Sequence, residues 1–386
     1  MPPPRKPHRK SRYGCIQCKR RHVKCDEEKP CRRCLDREEQ CSLKPDVAAA
    51  DITRPDKRLS VPTVSNRISS HQRRLNELFM MHHYATETCD TLVDSLESVE
   101  VFKRVVPREA MKFGFLMDGL LALASLHLAF LDQSMKEHYT EVAIQYQNSG
   151  LNAFKEALDS ISEESATAVF AFSIVTTILA FAMPGNSSGH QVSNVSDTFV
   201  SICQLLRGVR TIVFASEISI RTGPLGALAD PTSNSSASNS PSPPSLKRDG
   251  IQAAMAELRE QTGAVGKYST PKSHQAYLSG IKSLETSFDM VTQGPKVAVV
   301  AGWPVEVTDE LVELFRRGDP IAILICIHYG ALALEIHDRW WGKNFGIDLI
   351  DELSQSLHSI DAEWASHTEW ARTLSASVAN NVTCSL

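Results

Sequence analysis

A mostly α chain is predicted, with a small metal-stiffened head joined by a linker to an all-helical body. Three observations predict it. Six cysteines repeat at fixed spacing between Cys15 and Cys41. Beyond residue 71, apolar residues recur three and four apart, without sustained strand-type alternation. Between these regions, residues 44–70 carry three prolines and no apolar period. The expected order is a basic N-terminal arm (1–14), the cysteine-rich head (15–43), the linker (44–70), and the body (71–386). A disordered loop is expected in the body at about 229–249.

The head reads CIQCKRRHVKC, then CRRCLDREEQC sixteen residues on. Each half is C-x2-C-x6-C, so the segment is an internal repeat. Thiolates are soft ligands, and four arranged tetrahedrally suit zinc. Two tetrahedral ions need eight ligand positions. Cys15, Cys18, Cys25, Cys31, Cys34 and Cys41 supply eight if one sulfur from each half is shared. Such a site is closed, with no position for water or substrate, so it folds the chain without doing chemistry. So short a segment buries too little apolar surface to fold alone, and metal binding must supply much of its stability. A disulfide scaffold suits secreted chains, and no secretory signal opens this one. A pair of separate zinc sites would want eight ligands.

The spacing resembles the fungal zinc binuclear cluster DNA-binding domain. In that family the first and fourth cysteines bridge the two zinc ions, which here implies Cys15 and Cys31. Pro30 matches the proline kept in the loop between halves. The resemblance implies double-stranded DNA as partner, a nuclear location, and a short helix in the major groove. Lys19, Arg20, Arg21, His22 and Lys24 would project from that helix. Arginine and lysine donate to guanine O6 and N7 or neutralise phosphates. Arg21→Ala is expected to weaken binding and relax base preference. The second half mixes Arg32, Arg33 and Arg37 with Asp36, Glu38 and Glu39, which suits backbone support. Many family members carry lysine where His22 stands. Neutral imidazole has one donor against three, so the family's usual CGG-type triplet is not assumed.

Charge agrees with this division. Residues 1–45 carry a formal charge of +8 and the remainder −12, although the whole chain is only −4. A basic head on an acidic body directs nucleic acid to the head. Hydrophobic and charged contents of 42% and 22% are ordinary for a globular chain. Arg5, Lys6, Arg9 and Lys10 suit a nuclear-import patch, a phosphate-binding arm or a solvated tail. Cys89, Cys203, Cys326 and Cys384 follow no metal spacing and read mostly as buried free thiols.

From His71 to Val101 the apolar positions Leu75, Leu78, His82, Ala85, Cys89, Leu92, Leu96 and Val99 trace a heptad seam. His82, Ala85 and Cys89 are poor seam residues, so a helix packed on the body is favoured over a coiled coil. A buried helix follows at MKFGFLMDGLLALASLHLAFLD, then an amphipathic helix carrying Tyr139, Val142, Ile144, Tyr146, Leu151, Phe154 and Leu158. Ala166–Met183 is just long enough to span a membrane. Ser173, Thr176 and Thr177 and the lack of basic flanks favour a buried helix, so no membrane span is expected. A further helix begins near Asp197, read as its N-cap. The low-complexity stretch 222–250 carries Ser-Pro pairs at Ser240 and Ser242. Helices resume at Gly250–Thr262 and Ser273–Gln293. Thr308 starts another, Gly318 and Pro320 break it, and Ile321–Ile336 is apolar. Trp340 and Trp341 then enter a turn with Gly342 and Gly346.

Several body stretches resemble fungal regulators of the sterol uptake control protein type: ELFMMHHYATETCDTL, VVPREA…LLALASLHLA, LLRGVRTIV and GWPVEVTDELVELFRRGDPIAILICIHYGALAL…DRWWG. The resemblance implies a transcription regulator of RNA polymerase II genes with an all-helical regulatory domain. In some members that domain holds a sterol; many relatives serve secondary-metabolite genes. Ile323, Ile327, Leu332, Trp340, Trp341 and Phe345 are candidate pocket residues or plain core. Homodimerisation suits a DNA binder. No zinc-protease, phosphate-loop or nucleophile-elbow motif appears, so no catalytic residue is assigned and an enzyme is not expected. The alternatives are a co-regulator that docks only on proteins, or an enzyme hidden in the body. His82, His83 and Cys89 offer a weak second metal set.

Overall fold

The computed structural model describes residues 13–37, 39, 41–43, 70–158, 162–183, 194–215, 223, 225–229, 248–266, 269–291 and 296–383. Arg5, Lys6, Arg9, Lys10, the linker to residue 69, the segment 230–247 and Cys384 lie outside these. Contacts divide the chain into two compact units, Met1–Arg67 and Ile68–Leu386. Helices build both, and no strand occurs among the described residues.

The head has two short helices, α1 (Ile16–Arg20) and α2 (Arg32–Leu35), each with a cysteine at its N-cap, Cys15 and Cys31. The sixteen-residue repeat is therefore a repeat of structure. Its core is made of cysteines: Cys15, Cys18, Cys25, Cys31 and Cys34 are buried together, with Cys41 and Leu43 packed against them.

The body is layered around the helix Pro320–Ala333, in which every residue from Ile321 to Ala333 is buried. Asp319 caps it by accepting from Ala322 N at 2.9 Å, and Pro320 stands in its first turn, where the missing N–H costs nothing. Pro320 thus opens this helix, while Gly318, at φ +77°, ends the one before it. Thr308 caps that preceding helix, accepting from Leu311 N. The helix Phe345–Ile360 lies so close to Pro320–Ala333 that a Cβ on Gly346 would stand 2.9 Å from Gly330 O and Leu334 N. Gly346 is therefore a helix-contact residue, and only Gly342 belongs to the Trp340–Trp341 turn.

Gly114–Leu131 and Glu164–Ala182 are long and apolar enough to cross a membrane, and 67% and 78% of them is buried inside the body. Helix-on-helix packing accounts for their apolarity. Ser173, Thr176 and Thr177 donate to the carbonyls of Val169, Phe172 and Ser173 at 2.8–2.9 Å, which satisfies hydroxyls that would be costly to bury unpaired.

The heptad seam is not one helix. The helix α3 (Ser70–His83) passes into a π-helical turn, Tyr84–Thr88, and a 3₁₀ turn, Cys89–Thr91. Tyr84, Cys89 and Leu92 are buried in the body, whereas Leu75, Leu78 and Leu96 are exposed. Tyr84 and Thr88, four residues apart at the two ends of the π-helical turn, both face inward, where Tyr84 Oη donates to Phe102 O and Thr88 pairs with His127. The helix Val195–Ala215 is capped by Asn194, whose side chain accepts from Asp197 N at 2.8 Å. Asp197 lies in the first turn, where its charge suits the helix dipole.

Candidate metal centre and nucleic-acid interface

The six head cysteines fall into two groups, Cys15/Cys18/Cys25/Cys31 and Cys15/Cys31/Cys34/Cys41, with the sulfurs of each group within 4.8 Å of one another. Cys15 and Cys31 belong to both. Their sulfurs are 3.6 Å apart; Cys15–Cys34 is 3.6 Å and Cys18–Cys31 3.7 Å. A disulfide needs about 2.05 Å, so these are not disulfides. A tetrahedral Zn–S length of about 2.3 Å puts neighbouring sulfurs about 3.8 Å apart, so the thiols fit two zinc ions sharing two sulfurs.

Backbone amides hold the sulfurs in place. Cys18 N donates to Cys15 Sγ, Cys15 N to Cys25 Sγ and Cys31 N to Cys41 Sγ, all at 3.3–3.4 Å. The last two bonds are equivalent under the repeat. Such bonds stabilise thiolate charge and fix the ligands from outside the metal shell. Bound zinc would be structural, since four sulfurs per ion leave no open position.

The basic residues leave this core from one end of α1. Lys19 and Arg20 form its last turn and Arg21 its C-cap. His22 then turns left-handed, at φ +57°. Val23 N donates to Cys18 O and His22 N to Lys19 O at 3.1 and 3.2 Å. This pair of bonds is the Schellman ending of a helix, with His22 where glycine or asparagine is more usual. The chain then continues without regular structure through Lys24 to Cys25. Lys19, Arg20, His22 and Lys24 are exposed.

Arg21 differs from its neighbours. Its Nη1 and Nη2 pair with the two Glu39 carboxylate oxygens at 3.2 and 3.0 Å. Its Nε donates to Gln17 O at 3.3 Å, and Nη2 lies 3.7 Å from Cys34 Sγ. Arg32, Arg33 and Arg37 of the second half line a surface groove together with Arg21, Val23, Asp26 and Asp36.

The body holds an apolar cavity of about 230 Å³, lined among others by Phe102, Phe170, Phe181, Leu206, Ile336 and Trp341. Of the six pocket candidates read from the sequence, only Trp341 lines it. Ile323, Ile327, Leu332 and Phe345 are core, and Trp340 packs against the core and stacks on His127. One wall comes from Val93–Ser95, an irregular strap that carries no periodic signal. Arg339 Nη2 holds Asp94 at 2.6 Å, and the indole nitrogens of Trp340 and Trp341 donate to Thr91.

His82, His83 and Cys89 do not form a metal set. His83 pairs with Glu87 and packs on His127, His82 is exposed, and Cys89 Sγ donates to Ala85 O. Among the described residues, only the head brings three or more metal-ligating groups together.

A closed two-metal thiolate core under a basic helix end, followed by an all-α body, defines a zinc-stabilised DNA-binding head with a helical companion domain. Residues 13–48 match the fungal Zn(2)-Cys(6) binuclear cluster domain, and residues 78–211 the fungal specific transcription factor domain. The chain carries both domains of a fungal Zn(2)-Cys(6) transcription factor, a DNA-binding transcription regulator whose cluster holds two zinc ions. It is 25% identical to a Zn(2)-C6 fungal-type transcription factor of Gibberella zeae, covering 95% of this chain and 86% of that one. It is 28% identical to the Zn(2)-C6 fungal-type transcription factor afumD of Aspergillus fumigatus over 46% of this chain and 48% of that protein. Sterol uptake control protein 2 of Saccharomyces cerevisiae is 55% identical over 36% of this chain, but that match spans 15% of the yeast protein.

Proposed function

We propose that this chain is a nuclear, sequence-specific regulator of RNA polymerase II genes, with all six head cysteines as zinc ligands and Cys15 and Cys31 as the bridges. The observation that carries the reading is the membership of those two sulfurs in both thiol groups. Two zinc ions then hold α1 rigid, and Lys19, Arg20, His22 and Lys24 meet the major groove from its C-terminal end. Arg32, Arg33 and Arg37 face phosphates, which position the head without reading sequence.

Selection of bound sites from random duplex DNA by the zinc-loaded chain tests this. A defined site is expected, and Arg20→Ala or Lys24→Ala should cost about 1–3 kcal/mol where the lost contact was bidentate to a base. Binding should also weaken steeply with salt. Equal retention of all sequences by a chain holding two zincs would leave the protein-docking co-regulator as the better reading.

The cavity favours a second role for the body, holding an apolar ligand that governs the regulator. Its volume of about 230 Å³ is below the roughly 300–1,000 Å³ of drug-sized sites. A sterol would therefore enter only with the Val93–Ser95 strap displaced. A thermal-shift titration with ergosterol is expected to raise the melting temperature of the body; no rise at saturation retires the sterol. Control of sterol or secondary-metabolite genes follows from the resemblance to sterol uptake control proteins and awaits the selected site. The exposed Leu75, Leu78 and Phe79 on α3 supply a face for a homodimer.

A further inference from the structure

We propose that Arg21 is a positioning residue, which clamps the DNA-reading half of the head to the second zinc-binding half, and that it does not read a base. The proposal rests on the ligand assignment above.

The donors of the guanidinium can be counted. Arginine has five N–H groups. Nε–H goes to Gln17 O, one N–H of each Nη goes to Glu39, and the second N–H of Nη2 faces Cys34 Sγ. One remains, on Nη1. A bidentate contact to guanine O6 and N7 needs two, so Arg21 would have to release the clamp to make one. Arg20 and Lys24, by contrast, are exposed.

The groups that Arg21 holds belong to three parts of the head. Gln17 is in α1, Cys34 is in α2, and Glu39 follows α2, where its N–H bonds to Cys34 O at 2.9 Å. One side chain thus spans both halves of the repeat and touches a sulfur of the second thiol group. Two zinc ions and six thiolates sum to a charge of about −2. A cation donating to one of those sulfurs lowers its basicity, which opposes protonation and loss of the metal. Arg21 lies three-quarters buried at this point, with a side-chain exposure of 25%. Lysine could keep the charge there but not the fork.

The repeat sharpens the assignment. Sixteen residues on from Arg21 stands Arg37, the same residue type at the equivalent place. Both line the same surface groove, but Arg37 is exposed where Arg21 is half-buried. The clamp therefore breaks the internal symmetry of the head: of the two equivalent arginines, the one next to the reading residues lies against the metal core.

The test uses the full chain loaded with zinc and the variants Arg21→Ala, Arg21→Lys and Glu39→Gln. Three quantities are read: the rate of zinc transfer to a chromophoric chelator, the sulfur-to-metal absorption of the cobalt-substituted protein, and base preference in selection from random duplexes. Expected are faster zinc transfer in all three variants, in the range of about 10–100-fold for loss of an outer-shell partner, and a shifted cobalt–sulfur band in both Arg21 variants. Base preference should be retained while affinity falls evenly across sequences. Should Arg21→Ala lose zinc altogether, Glu39→Gln, which never touches a sulfur, still reports on the clamp. Zinc transfer at the wild-type rate in both Arg21→Lys and Glu39→Gln overturns the proposal. So does loss of preference at a single base position with zinc retention unchanged. A wild-type chain that selects its site without holding two zincs overturns the ligand assignment, and this proposal with it.

Discussion

Cys15 and Cys31 each lie in both thiol groups, whereas Cys18, Cys25, Cys34 and Cys41 each lie in one. Replacing a shared sulfur takes a ligand from two ions at once. Cys31→Ser is therefore expected to leave the purified chain with far fewer than two zincs and no specific DNA binding. Cys41→Ser, at the half-exposed edge of the core, should lose one ion first; native mass spectrometry distinguishes the two patterns. His22 shows a different constraint. Its left-handed backbone costs a side chain roughly 1–2 kcal/mol, and glycine carries no such cost. His22→Gly is expected to keep or slightly raise the stability of the zinc-loaded head. Any change in its selected DNA site then reports the imidazole alone. Equal stability of His22→Gly and His22→Val in a denaturation series would contradict the strain argument.

In the body, the decisive contact is that between the helices Pro320–Ala333 and Phe345–Ile360, whose backbones meet at Gly330 and Gly346. The nearest atoms to an added Cβ on Gly346 are backbone atoms, which cannot swing aside. Gly346→Ala should destabilise the body by about 1–3 kcal/mol, read as a shift in the urea midpoint with unchanged slope. Long elements of this kind were legible from periodicity and caps: Thr308 and Gly318 mark real boundaries, whereas Pro320, read as a breaker, opens the next helix. The break of the heptad seam was not. Its residues satisfy a helical period on paper, and the partners that Tyr84 and Thr88 meet, Phe102 and His127, lie beyond the seam in the chain. Asn194 escaped as a cap because an acidic residue three positions later offers the same local signal.

Across the whole chain, two units with separate cores should respond separately. Chelation of zinc is expected to unfold the cysteine core of the head while the helical circular dichroism of the body is largely kept; concerted loss of both would contradict the division into two cores. Acid should act on the body. Burial lowers His127 from 6.5 to about 4, with His83 beside it lowered as well. Between these values the unfolded imidazole binds a proton that the folded one refuses. Stability is thus full above pH 6.5 and falls as pH drops toward 4. The melting temperature of the body should decline over that window, and His127→Gln should flatten the decline.

Ligand type, spacing and the location of positive charge could all be read along the chain, because metal chemistry depends on which atoms are offered and at what intervals. The helical character of the body was legible for a similar reason: burial of one face imposes its period on neighbouring residues. What Arg21 holds, which wall closes the apolar cavity, and where the helix backbones touch depend on residues far apart in the chain. Arg339 reaches Asp94 across more than half of it, and Arg21 meets Glu39 across the two halves of the repeat. Those pairings are set by packing in three dimensions, and no local pattern of residue types records them.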